Sequence, residues 1–491
     1  MIPAMSPTTA IAAALVLPLL GAIGISLSGR FPNLREGITL ATAVGLFVCV
    51  LQLLDPVLAG MRPELLLFEL LPGLPMAFRV EPLGMIFALI ASGLWIVNSV
   101  YSIGYMRGNQ EKNQTRFYVC FALAIGSALA IAFAANLLTL FLFYEVLTLI
   151  TYPLVTHAGT DKARAGGRTY LAILMGTSVL FLLPAVIYVW HVAGTTDFRA
   201  GGILPTAMDK GEVAILLALF MFGTAKAALM PFHRWLPAAM VAPTPVSALL
   251  HAVAVVKAGV FTVVKVAVYV FGLDQLSGAT DWLIAMSGFT IVAASVVALY
   301  ADNLKRRLAY STVSQLSYVV LGVAILAPLS VAGAALHIVA HAFSKITLFF
   351  AAGAIYTAAH KTEVSQLNGI GRRMPWTMAA FSVGALSLIG IPPFAGGFSK
   401  IYILSGAMAQ AQWFALGVIL ISTLLNAAYF LPIIHAAFFK PLRADDLAHP
   451  HGEAPLPMVL ALMTSAGGTV ALFFFSAPLL QLVRQLVPNA W

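Results

Sequence analysis

Apolar runs of about 20 residues, each long enough to cross a bilayer as a helix, recur along almost the whole chain. That recurrence leaves few folds open. In hydrocarbon every backbone amide must be bonded internally, and the runs lack the alternation of barrel strands, so the reading is an all-α polytopic membrane protein. Composition agrees, since 61% of the 491 residues are hydrophobic and only 9% carry a formal charge. Membrane lipid is therefore an expected partner.

Windowed hydropathy predicts fourteen spans, near 9–28, 37–54, 83–105, 117–135, 137–156, 169–191, 213–231, 243–270, 283–300, 308–326, 331–357, 377–402, 412–437 and 456–478. Proline interrupts the seventh, eighth and twelfth, which makes them the least regular. The stretch from Thr9 has no basic leader before it and no clear cleavage site, so it reads as a retained first span. With the N-terminus outside, seventeen of the 27 Lys and Arg fall in cytoplasmic loops, including Lys162, Arg234, the Lys305-Arg306-Arg307 run, Lys361 and Arg443. Only five fall outside, an asymmetry that supports both termini on the outer side of a cell inner membrane. The net charge of +9 is thus accounted for by orientation, and no nucleic-acid partner is expected.

Cys49 and Cys120 are the only cysteines, too few for a disulfide framework, a Cys-rich zinc site or an iron-sulfur cluster. No resident cofactor is expected, and any redox chemistry belongs to other subunits.

Five basic residues remain inside the spans: Lys226, Lys257, Lys265, Lys345 and Lys400. A charge at the bilayer centre costs about 2.5–3.5 kcal/mol on insertion scales, so a set of them needs a reason. Lys265, near a span end, best fits a side chain that snorkels to the interface. Of the eighteen acidic residues Glu145 is read as the one deep in a span, hence as the counter-ion, either a static tie or half of a switch. Desolvation disfavours an ammonium and a neighbouring carboxylate favours it, so separating Glu145 from a lysine would pass a proton onward. Several such groups in series make a proton-transfer relay.

His337, His341 and Lys345 recur at i, i+4 and i+8, which places three titratable groups on one helical face. A metal reading of His337 and His341 lacks a third ligand. His251 is a possible relay member or a packing histidine. Lys226 is followed by Pro231 and Pro237, while Lys400 follows Pro392, Pro393, Gly396 and Gly397. Helix breaks beside buried charge, one in each half of the chain, are a sequence pointer to an ion site.

The motifs that carry these residues form a set: Phe143-Tyr144-Glu145, the segment from Lys226 to Pro237, Ala242-Pro243-Thr244-Pro245 through His251, Val256-Lys257-Ala258-Gly259, Leu308 to Gln315, His341-Ala342-Phe343-Ser344-Lys345, and Gly390-Ile391-Pro392-Pro393-Phe394-Ala395-Gly396. In order and over essentially the entire chain, they resemble the antiporter-like subunits shared by respiratory complex I and multisubunit Mrp-type sodium/proton antiporters. Leu425 to Pro432 and Glu453-Ala454-Pro455-Leu456 are most similar to the D-type subunit of Mrp antiporters, although His435 and Gly397 depart from that pattern.

The resemblance implies an N-terminal three-helix segment (1–116), two inverted five-helix repeats (117–270 and 283–437) with broken seventh and twelfth helices, and a C-terminal loop and helix (438–491). It also implies that Glu145 and Lys226 form an ion pair, that Lys257 is the central relay lysine, that His337, His341 and Lys345 join the halves, and that Lys400 ends the second. The function it implies is translocation of H+ and Na+ within a hetero-oligomeric cation/proton antiporter. A proton-pumping subunit of a redox complex, without a redox centre of its own, is the alternative. A non-conducting scaffold is a third, and it has least use for so many buried titratable groups.

Overall fold

The computed structural model describes residues 5–442 and 451–488; Arg443, counted above among the loop cations, lies outside them. Helices fill every expected span. They are α1 (Pro7–Leu27), α2 (Pro32–Leu58), α3 (Pro82–Gly108), α4 (Gln114–Phe133), α5 (Leu137–Val155), α6 (Asp161–Ala193), α7 (Lys210–Gly223) and α8 (Thr244–Phe271). There follow α9 (Asp281–Tyr300), α10 (Leu304–Ala324), α11 (Pro328–Ala359), α12 (Pro375–Ile389), α13 (Ala395–Ala409), α14 (Trp413–Phe439), α15 (Leu456–Phe474) and a short α16 (Ala477–Leu486). Among the described residues eleven helices are long and apolar enough to cross a membrane. The chain is a multi-pass membrane protein whose spans are all helical.

Local sequence sets the helix ends. Asn136 caps α5 by accepting from the Thr139 amide at 2.8 Å, Thr160 caps α6 through Ala163, and Asn303 caps α10 through Arg306. Proline occupies the first turn of α2, α3, α11, α12 and α15, where its missing N–H is not needed.

The irregular spans are irregular as expected. After α7 the chain makes one tight turn over Ala225–Ala227, then leaves helical geometry at Ala228 (φ 56°) and runs through Pro231 before a short helical turn at Trp235–Ala238. The twelfth span is split into α12 and α13 by Gly390 through Phe394, with Pro392 and Pro393 between. Within α8, wide π turns at Leu249–Val253 and Ala267–Phe271 flank Lys257, and α6 carries another at Ser178–Leu182 that the hydropathy pattern did not foretell.

Two features lay outside the sequence reading. An antiparallel hairpin, β1 (Glu64–Leu71) and β2 (Leu74–Arg79), joins α2 to α3 and turns at Gly73 (φ 78°). It lies over the α4–α5 junction, where the Ala135 amide donates to the Ala77 carbonyl at 3.0 Å and Asn136 Nδ2 to that of Pro75 at 2.8 Å. At the other end of α2 and α3, Glu36 is buried and bound by Arg107 and by Arg35 (3.3 Å), while Arg35 also donates to Gln114 on α4.

The core is layered around two helices. The most apolar windows of α8 and α11 are 100% and 94% buried, whereas those of α1, α2, α6 and α14 are 39% buried and present apolar side chains outward. The helices that carry Lys257, Lys265, His337, His341 and Lys345 therefore have almost no contact with lipid.

Candidate functional site

All five intramembrane lysines are buried, four with no exposure and Lys400 with 4%. An ammonium in such surroundings needs acceptors, and each finds them in a different way.

Lys226 sits in the turn that ends α7. Its Nζ donates to the Tyr144 carbonyl at 2.8 Å and to Thr148 Oγ1 at 2.6 Å, and lies 3.3 Å from the centroid of the Tyr144 ring. It does not form the expected contact pair with Glu145. Tyr144 and Thr148, one turn apart, share the inward face of α5, while Glu145 is rotated about 100° from Tyr144 toward the half-exposed flank. Both carboxylate oxygens of Glu145 are buried without a hydrogen-bond donor, since the nearby Ser178 hydroxyl donates to the Met175 carbonyl. The two charges feel each other but do not touch.

Lys265 corrects the sequence reading in the opposite direction. It does not snorkel: its Nζ lies 3.2 Å from Glu81 Oε2, donates to the Ala134 carbonyl at 2.7 Å and rests 4.4 Å from the Phe198 ring centroid. The reason is position in the bundle, because α8 has no lipid-facing side along which a lysine could reach water. Glu81, at the N-cap of α3, makes no cap bond with its side chain and is 4% exposed, so Glu145 is not the only acidic group withdrawn from water.

Lys257 Nζ lies 2.5 Å from His341 Nδ1, linking α8 directly to α11. An ammonium there donates to the unprotonated ring nitrogen. One turn along α11, the His337 and His341 ring centroids are 6.2 Å apart. His337 Nε2 is 3.1 Å from Gln315 Oε1, which only accepts, so the proton of a neutral His337 sits on Nε2 and Nδ1 faces the Ser399 hydroxyl at 2.9 Å. Ser399 also has the Gly396 carbonyl within 3.1 Å, so its single proton has two acceptors. Lys400, the next residue, donates to the Leu388 and Ile389 carbonyls at 2.9 and 3.0 Å, which the end of α12 leaves unpaired.

The α11 stripe thus fans out. His341 meets α8, His337 meets α13, and Lys345 donates to the Leu308 carbonyl of α10 at 3.1 Å. His251 joins none of these bonds; neither ring nitrogen has a partner and the ring packs 4.7 Å from that of Phe349. Ser399, Gln315, Thr148 and Glu81 were not foreseen as site residues. Ser399 stands beside Lys400 in sequence and Gln315 ends the Leu308–Gln315 motif, which were the available signals, while Thr148 and Glu81 have no mark in the sequence that separates them from ordinary polar residues.

Glycine sets close backbone approach at both breaks, between α8 and the first and between the two halves of the second. A Cβ on Gly259 would lie 2.3 Å from both Lys226 C and Ala227 N, so α8 approaches the first break by backbone contact only. A Cβ on Gly396 would lie 1.8 Å from Ser387 O.

This arrangement can be set beside known proteins. Residues 134–426 match the family model described as NADH:quinone oxidoreductase/Mrp antiporter, TM, and residues 73–118 match that of the NADH-ubiquinone oxidoreductase (complex I) chain 5 N-terminus. The chain is 32% identical over 420 residues to NADH-quinone oxidoreductase subunit N of Desulforudis audaxviator, covering 83% of each. It is 29% identical to the A/B component of a probable K(+)/H(+) antiporter of Rhizobium meliloti, covering 85% of this chain and 43% of that one. Several further curated relatives are longer proteins, of which the chain spans 57% to 67%. In fold, it superposes on a chain of the Mrp complex from Dietzia sp. with a TM-score of 0.86 at 21% identity, covering 99% of this chain and 98% of that one. With a family model matched over more than half its length and a relative of equal extent, the chain belongs to the family of antiporter-like membrane subunits shared by NADH:quinone oxidoreductases and Mrp antiporters.

Proposed function

We propose that the chain is the proton- and cation-translocating subunit of a multisubunit cation/proton antiporter in a cell inner membrane, with both termini on the outer side. The observation that carries this reading is a row of titratable groups in the buried centre, with direct contacts from Lys257 to His341 and from His337 to Ser399, the two imidazoles one helical turn apart and Lys400 next to Ser399 in the chain. These groups can each hold or release a proton, and a structural tie would not need them in series.

In this reading Lys226 is loaded while Glu145 is near and gives its proton up when the carboxylate is far. Its backbone rests on α8 at Gly259, two residues from Lys257, so the next acceptor is at hand. From Lys257 the proton passes to His341 Nδ1, then by rotation of the neighbouring imidazoles to His337, Ser399 and Lys400. Residues 117–270 and 283–437 are the two five-helix units joined at the Lys257–His341 contact, each with its broken helix; 1–116 and 438–491 flank them. Na+ is the proposed exchanged cation, and the D-type subunit of an Mrp assembly is the proposed place of the chain among its partner subunits.

The test is dissipation of a pH gradient on cation addition, in inverted vesicles that hold the whole complex, with and without Lys226→Ala. A cation response that the substitution removes supports exchange; no cation response from the intact complex overturns it. A second reading, a redox-driven proton pump using the same relay, draws on the likeness to a quinone oxidoreductase subunit N of similar extent. It expects gradient formation on oxidation of a partner's substrate and no response to added cation.

A further inference from the structure

Apart from the relay, the loops at one end of the bundle enclose a cavity of about 880 Å³ among the ends of α3, α6, α8, α10 and α11. Its charge is one-sided. Lys162, Arg234, Lys305, Arg306 and Lys361 line it, against Glu111 as the one carboxylate among the described lining residues. All five cations lie in helix ends or loops that the charge asymmetry of the sequence assigns to the cytoplasmic side.

Against the five cations the single carboxylate leaves the lining net positive; burial pushes the Glu111 carboxyl above the usual glutamate range, with Lys305 partly offsetting the shift. Cations are repelled from such a cavity and anions concentrated in it, which makes it a poor mouth for Na+. Apolar surface is continuous with the charge, from Pro237, Met240, Val241 and Ala352. A charged group that is small and attached to an apolar body fits both halves of this lining, and basic recesses between membrane helices on the cytoplasmic side are suited to anionic headgroups.

We propose that this cavity is a binding site for a phosphodiester anion, held by Arg234, Lys305 and Arg306, and that its source is the headgroup of an anionic membrane lipid. Arginine suits this role because its planar fork can grip two phosphate oxygens at once. Lys305 is directed across the cavity wall by donation to the Ala242 carbonyl at 2.6 Å, while the exposed Arg306, 5.9 Å from the Tyr310 ring centroid, lines the rim.

The test uses the full chain with its partner subunits, stripped of lipid and titrated with phosphatidylglycerol or with phosphatidylcholine of the same acyl chains, and read by native mass spectrometry. Retention of phosphatidylglycerol is expected to exceed that of phosphatidylcholine by about tenfold, and Arg234→Gln with Arg306→Gln should erase the difference. Lys305→Gln, scored alongside, guards against a double variant that fails to assemble. Equal retention of the two lipids, or a phosphatidylglycerol preference that survives all the substitutions in an assembled complex, overturns the site. If millimolar inorganic phosphate binds and displaces phosphatidylglycerol, the anion site stands and its lipid source is overturned.

Discussion

Two buried lysines of this protein each have a glutamate for company, and the two couples are built differently. Lys265 and Glu81 are closed at 3.2 Å, sealed by the Ala134 carbonyl and the Phe198 ring under the hairpin. Lys226 and Glu145 are open: the ammonium is held by Tyr144 and Thr148, and the carboxylate has no donor at all. A closed pair in low dielectric is hard to separate, because opening it strands two desolvated charges. An open pair whose lysine already has other acceptors can change its separation at small cost. In the proposed function the first is a tie and the second a switch, and the difference can be tested by asking which losses reach stability and which reach transport.

The largest effect is expected at the closed pair. Lys265→Met or Glu81→Gln should each cost about 3–5 kcal/mol of stability by leaving its partner charged and buried, while the double variant recovers much of the loss. Thermal unfolding of the complex in detergent measures this; single variants as stable as the parent would break the comparison. Next, Lys226→Ala should slow proton transfer by roughly 100-fold, in the range for removing a positioned proton donor, with little change in unfolding temperature. A large fall in that temperature would mean that Lys226 is a tie as well. Gly259→Ala should come third, at about 1–3 kcal/mol, because its methyl meets the backbone of Lys226 and Ala227 and must push the break away from α8. The smallest is Glu145→Gln, about tenfold in transport rate, equivalent to roughly 1.4 kcal/mol, since the carboxylate biases Lys226 from a distance. If Glu145→Gln lowered stability instead, the pair would be closed in the resting protein.

Much of this was legible beforehand because the constraint was strong. Bilayer thickness imposes a length on each apolar run, and proline beside buried charge marks a break, so the spans, the splits around Pro231 and Pro392-Pro393 and the buried lysines could all be read along the chain. The stripe of His337, His341 and Lys345 was legible for the same reason, helical period. What it touches was not: each member meets a different helix. Glu81 looked like a loop residue, since nothing in its neighbours shows that a hairpin would cover it.

Sequence alone therefore determined that Lys226, Lys257, Lys345, Lys400 and the α11 histidines leave water, and at which depth along their own helices, because insertion cost and helical rise depend on local order; the burial of Glu81 and Lys265 it did not determine. Tertiary structure alone decided the partners. Packing turned the Tyr144–Thr148 face of α5, not Glu145, onto Lys226, and the burial of α8 on every side turned Lys265 from an interface residue into half of an ion pair. Both depend on how helices far apart in sequence are turned and packed against one another, which no local pattern records.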